Sequence, residues 1–236
     1  MRKERILKER ILGAGGGQQV GEMGVSRRIA AFFVLLGFSG AAALATVIDP
    51  SADCLSDDNE RRISGCSAMI ETPGLPAEQL SMAYGLRALG YSLKGWFDKA
   101  VADYDKAIDI NPNFAAALNN RAWAYYKLGR PQQGAPDVEK ALRLAPDNPY
   151  ALDTRAHIHQ SAGDAAAALS DYELAMRYGG DVIVKLYQCG LRSQSLYFGP
   201  LDGVYSSDVK RALHVCINRK ECDPLPADDD CRPSVS

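Results

Sequence analysis

Residues 81–182 superimpose on themselves when the chain is slid by 34 positions. Arg87, Arg121 and Arg155 recur at that period, each followed by alanine and then, eight residues after the arginine, by Gly95, Gly129 or Gly163. A fixed period of this length leaves few architectures open, because each copy is one supersecondary unit that cannot bury its apolar face alone. The copies align without gaps as 81–114, 115–148 and 149–182. In each, a first helix runs to the glycine. A second helix follows, with matching positions Ala100/Gly134/Ala168, Tyr104/Val138/Tyr172 and Ala107/Ala141/Ala175. Small residues let two helices approach closely, and the larger ones fill the volume beside them. Pro112 and Pro146 close the first two copies, since proline cannot continue a helix. The expectation is an all-α stack of helix-turn-helix units.

Each repeated arginine travels with an acid 16 residues on: Asp103, Asp137 and Asp171. An unpaired charge near a packing seam is costly. Ion pairs are therefore expected, each arginine reaching the aspartate of the preceding repeat across the stacking interface. Repeat two also carries Pro136 inside its second helix, which predicts a late start or a kink there; a harmless irregularity on the convex side is the other reading.

The segments YGLRALGYSLKGWFDKAVADYDKAIDINP and LNNRAWAYYKLGRPQQGAPDVEKALRLAP resemble the tetratricopeptide repeat, with its alternating small and aromatic signature. The third copy departs from it at His159, where an aromatic is usual, and at Gly180, which replaces the closing proline. The resemblance implies an all-α superhelix that binds partners on a concave face lined by first helices. Here those positions are Asn119, Trp123, Tyr126, Lys127, Tyr150, Asp153, His157 and Gln160, a stripe suited to an extended peptide or a helix. For Trp123 and Tyr126 a second reading stays open, that they cover seams between repeats. The family's carboxylate clamp does not carry over: Asn120 fits one place, but Gly85, Leu89, Tyr150 and Thr154 occupy others. Upstream, ERRISGCSAMIE places Ile63, Cys66 and Ile70 in the second-helix pattern at an offset of 38, so residues 46–80 read as a capping half-repeat.

Arg27 and Arg28 precede IAAFFVLLGFSGAAALA, an apolar run ending in Ala43, Leu44, Ala45. This is the layout of a secretory signal over residues 1–45, with Met23 as the expected true start. An uncleaved membrane anchor facing the periplasm is the alternative. Both take the remainder out of the cytoplasm, to the periplasm or beyond. All six cysteines (54, 66, 189, 216, 222 and 231) lie past the cleavage point and outside the repeats, as a disulfide framework requires. The expected pairs are Cys54–Cys66, Cys189–Cys216 and Cys222–Cys231. A metal site at His214, Cys216, Cys222 and Cys231 is the lesser reading, for it lacks a C-x-x-C pair. Beyond residue 45 the chain holds 20 basic against 26 acidic residues, so it lacks the basic footprint of a nucleic-acid binder.

Residues 183–219 change character. QCGLRSQSLYFGPLDGVYSSDVKRALHVC sets two short helical stretches around a turn-rich GPLDGVY core. It resembles the small helical peptidoglycan-binding module, matching at Leu191, Tyr205, Ala212 and Leu213 and departing at Ser195, Ser206, Val209 and Cys216. That likeness implies glycan contacts from Tyr197, Asp202 and Tyr205, or a capping role alone. Residues 220–236 form a cysteine-containing tail. No phosphate loop, zinc motif or nucleophile elbow occurs, and Asp153, His157 and His159 are tied to no nucleophile. The expectation is a binding protein, not an enzyme, without cofactor or metal: an exported scaffold for other proteins of the bacterial envelope. The alternative is a peptidoglycan binder whose repeats are a spacer.

Overall fold

The computed structural model of the protein describes residues 50–219 and 222–225. The expected signal segment and Cys231 lie outside the described residues. Within them the chain is all-α, a helical-hairpin superhelix with a small disulfide-stapled helical segment at its C-terminal end. No described helix is long and apolar enough to cross a membrane.

The array opens with α1 (Pro50–Cys54) and α2 (Asn59–Ile70), which the Cys54–Cys66 disulfide joins with Cα atoms 4.4 Å apart. Gly65 makes that approach possible, because a Cβ there would lie 2.4 Å from the Cys54 nitrogen. Three hairpins follow: α3 (Ala77–Leu93) with α4 (Phe97–Ile110), α5 (Ala115–Lys127) with α6 (Pro131–Leu144), and α7 (Pro149–Ser161) with the first part of α8 (Ala165–Ser193).

The periodic glycines end the first helices. Gly95, Gly129 and Gly163 sit at φ of 75°, 73° and 81°, a left-handed conformation that costs glycine little. The residue after each donates its amide back across the turn: Trp96 to the Tyr91 carbonyl, Arg130 to Tyr125 and Asp164 to His159, at 2.9, 2.8 and 3.0 Å. These bonds satisfy carbonyls that the helix end would otherwise orphan. Between the helices of each hairpin, Tyr104, Val138 and Tyr172 are fully buried beside Ala100, Gly134 and Ala168. Burying one such side chain stabilises by about 1.5–3 kcal/mol, so the recurring position is a main source of cohesion.

Two expectations need correction. The helix of repeat two does not start late near Pro136; α6 begins at Pro131 and continues through it. Pro131 supplies the pre-set φ of a first helical position, and Pro136, in the second turn, lacks the N–H that would pair with the Gln132 carbonyl. The arginines do not reach the periodic aspartate, Asp103 or Asp137, of the preceding repeat; each grips that of its own hairpin. Arg87 Nε and Nη2 donate to Asp103 at 2.6 and 2.9 Å, Arg121 to Asp137 at 2.6 and 2.7 Å, and Arg155 to Asp171 at 2.7 and 2.7 Å. Sixteen residues span one hairpin, which places donor and acceptor on facing helices. The remaining Nη1 crosses the seam to another residue: Ser67 from Arg87, Asp105 from Arg121, Glu139 from Arg155. Each arginine thus ties three helices. The hydrogen bond it donates to its aspartate pushes each guanidinium pKa up, outweighing the burial that would lower it.

Inside α8, Gly180 takes φ 63°, ψ −156° and breaks the helix. The part beyond it pairs with α9 (Ser207–Ile217) as a fourth hairpin with a long turn. Gln188, fully buried, organises that turn: its Nε2 donates to Asp202 Oδ1 at 2.8 Å and to the Val204 carbonyl at 3.1 Å, while its Oε1 accepts from the Gly203 amide at 2.9 Å. The hairpin shares one core with repeat three, in which Tyr172, Tyr187, Leu191, Tyr197 and Leu213 meet. The pairing Cys189–Cys216 is also overturned, and with it Cys222–Cys231, because Cys216 bonds Cys222 instead, Cα to Cα 5.2 Å. The chain turns back directly after α9, bringing Cys222 within reach six residues on. Cys189 is itself disulfide-bonded.

Candidate functional site

Three positions recur at the repeat period along the first helices and the segment after Gly180. Asn119, Asp153 and Tyr187 are spaced by 34, as are Trp123, His157 and Leu191, and then Tyr126, Gln160 and Gln194. Rings at these positions, joined by Tyr172 from α8, form a continuous ladder. Trp123 stacks on Tyr126 with centroids 5.2 Å apart, and both meet His157 edge-on at 5.3 and 5.2 Å. His157 meets Tyr172 at 5.3 Å, and Tyr172 meets Tyr187 at 5.8 Å. Edge-to-face contacts at this spacing each stabilise by about 0.5–1.5 kcal/mol. Lys127 is exposed, with its Nζ 5.5 Å from the Trp123 ring.

Of the eight expected groove residues, four are not open to solvent. Asn119, Tyr150, Asp153 and His157 are buried, and Trp123, Tyr126 and Gln160 are half-buried. Asn119 Nδ2 donates to Asn120 Oδ1 at 3.3 Å, and Tyr187 donates its hydroxyl to Asp153 Oδ1 at 2.6 Å. Gln160 Oε1 accepts from the Tyr172 hydroxyl at 2.8 Å. Gln160 Nε2 then turns to the chain's own C-terminal segment, donating to the Cys222 carbonyl at 2.8 Å. Residues 222–225 lie across this part of the face, with Cys222, Pro224 and Leu225 buried. His157 Nδ1 lies 2.8 Å from the Asp153 carbonyl and Nε2 lies 3.0 Å from Asp223 Oδ1. Both neighbours are acceptors here, so the ring donates to both only as the imidazolium. Gln194 Nε2 donates to the Asp223 carbonyl. A cavity of about 540 Å³ opens beside this strap, lined by Tyr126, His157, Gln160, Arg219 and Asp223 among others.

Sequence reasoning missed Tyr187, Gln194 and Asp223. The first two lie one period after Asp153 and Gln160, a signal present but hidden where the repeat signature fades. Nothing in the sequence pointed to Asp223.

Of the three residues tied to glycan, Asp202 and Tyr205 are exposed and Tyr197 is not. Tyr197 is buried and donates to the Pro200 carbonyl at 2.7 Å. Asp202 accepts from Gln188 and, at 2.9 Å, from the Val204 amide; these bonds hold its carboxyl below the usual range. Tyr205 donates to Glu173 Oε1 at 2.7 Å, and burial together with that carboxylate pushes its pKa up. The lesser metal reading fails on chemistry, since Cys216 and Cys222 are joined to each other and offer no thiolate.

Fold and site together define a stacked helical-hairpin protein. Two family models match it: a TPR repeat over residues 91–129 and a tetratricopeptide repeat over residues 115–148. Both fall on the stretch where the repeat signature is strongest, and they support tetratricopeptide repeats over residues 91–148. A search of curated proteins finds no match.

Proposed function

We propose that this protein is an exported scaffold of the bacterial cell envelope that holds partner proteins against its concave face. The half-buried, stacked pair of Trp123 and Tyr126, braced edge-on by His157, carries the reading. It offers rigid aromatic area at low entropic cost, edged by the half-buried amide of Gln160 and the exposed Lys127. Export rests on the leader-like N-terminal sequence, and the two disulfides among the described residues fit an oxidising compartment.

The test is photocrosslinking in the native envelope with a photoreactive residue at Trp123 or Tyr126. Discrete adducts with other proteins are expected, and their absence at both positions overturns the scaffold. Sedimentation with purified peptidoglycan addresses the rival reading: a chain that pellets on the wall makes it a glycan binder.

A further inference from the structure

The strap that crosses the third and fourth hairpins is held as a bound peptide would be. Gln160 and Gln194 stand one 34-residue period apart, and their Nε2 atoms donate to the carbonyls of adjacent residues, Cys222 and Asp223. Those two bonds read main chain, not side chain. Identity is read by His157, whose Nε2 faces the Asp223 carboxylate, and by the shared core into which Leu225 inserts. Asp223 Oδ1 also accepts from the Leu225 amide at 2.9 Å, fixing the turn that sends leucine inward.

We infer that this part of the groove is a docking site for an extended acidic segment of the pattern Asp-Pro-Leu, and that residues 222–225 are its resident occupant until a partner with such a segment displaces them. The inference rests on the scaffold reading and names the partner's chemistry. Three features of the site select that chemistry: two amide donors at repeat spacing for consecutive carbonyls, a histidine for the carboxylate, and an apolar recess for the leucine. Arg219 lines the cavity beside the strap and adds a guanidinium there, while Asp153, whose Oδ2 lies 3.7 Å from His157 Nδ1, accepts from Tyr187 through Oδ1. The cavity beside the strap leaves room for a partner's neighbouring side chains. The Cys216–Cys222 disulfide tethers the strap next to its site. A short tether gives an effective concentration of order millimolar, so an incoming segment competes against a strong internal rival.

The experiment uses the full mature chain and a labelled peptide spanning residues 220–227 with serine in place of Cys222, read by fluorescence anisotropy. Asp223→Ala with Leu225→Ala loosens the strap and leaves its disulfide in place. The labelled peptide is expected to bind this variant at least about tenfold more tightly than the unaltered chain, a difference of about 1.4 kcal/mol. Adding Gln160→Ala and Gln194→Ala is expected to abolish the gain, as is asparagine for aspartate within the peptide. Equal binding to both chains, or no saturable binding to a loosened variant that keeps its far-UV signal, overturns the inference. Should the double variant unfold, Asp223→Asn alone serves: a gain of about threefold is expected from losing one charge-assisted bond, and no gain overturns the inference. Self-association of the loosened variant through exchanged straps, with no peptide binding, also overturns it. The crosslinking at Trp123 and Tyr126 does not involve the strap, so it can succeed where this experiment fails, leaving the scaffold standing without this ligand.

Discussion

At the scale of single residues, the repeated arginines separate strong from weak electrostatics within one side chain. Arg121 forks onto Asp137, whose side chain is 12 % exposed, and reaches with its last nitrogen to Asp105, which is 45 % exposed. Coulomb attraction across the wetter contact is screened, whereas breaking the drier one leaves a desolvated carboxylate alone. Arg121→Ala is therefore expected to destabilise by about 2–3 kcal/mol, seen as a lower urea midpoint at unchanged slope. A double-mutant cycle should assign most of the coupling to Asp137, and no more than about 1 kcal/mol to Asp105. Equal couplings would contradict this ordering. Gln188 and Asp202 form the other decisive pair. A carboxyl whose folded pKa is depressed contributes stability above its unfolded value and loses it as pH falls toward the folded one. The fourth hairpin should thus loosen on acidification below the ordinary carboxylate range, and Asp202→Asn should blunt that loss when followed through the near-UV signal of the buried tyrosines.

At the scale of elements, ordinary helix propensity predicts the wrong sign at one position and the right sign at its neighbour. Gly134 sits inside α6, where alanine normally gains about 1 kcal/mol. Yet a Cβ there would lie 2.7 Å from the Ala122 carbonyl oxygen and 2.8 Å from its Cα, both backbone atoms of α5. Gly134→Ala should therefore lower the melting temperature, while Pro136→Ala, on an exposed face, should raise it by restoring a hydrogen bond. Period and spacing made these elements legible in advance: the turn glycines, the small residues at close approaches and the buried tyrosine row are all periodic. What the sequence did not disclose is direction. Co-recurrence of Arg121 with Asp137 marked a pair, but a separation of 16 is also the span of one hairpin, so the choice between own and preceding repeat needed coordinates. Likewise Pro136 looked disruptive because a local rule was applied without knowing that α6 starts at Pro131.

At the scale of the molecule, a stack of hairpins is stabilised by nearest neighbours, so its ends are its weak points. Here the ends differ in kind. The N-terminal end is closed by α1 and α2 under the Cys54–Cys66 disulfide, and Arg87 reaches Ser67 in that cap as the later arginines reach preceding hairpins. The C-terminal end is closed by the fourth hairpin and by the strap, which fills the groove it borders. The cysteines were visible in the sequence, but the pairing of Cys216 with Cys222 and the docking of Asp223 depend on where the chain turns after α9, which no periodicity encodes. Replacing Cys54 and Cys66 by serine releases a loop whose closure stabilises by about 3 kcal/mol. Because coupling passes only between neighbours, the loss should not spread evenly. Amide exchange should quicken most in α2 and α3, less in α5 and least in α7, where the fourth hairpin and strap still brace the stack. Uniform quickening across all helices would mean that the array melts as one unit, and that the cap sets the stability of the whole.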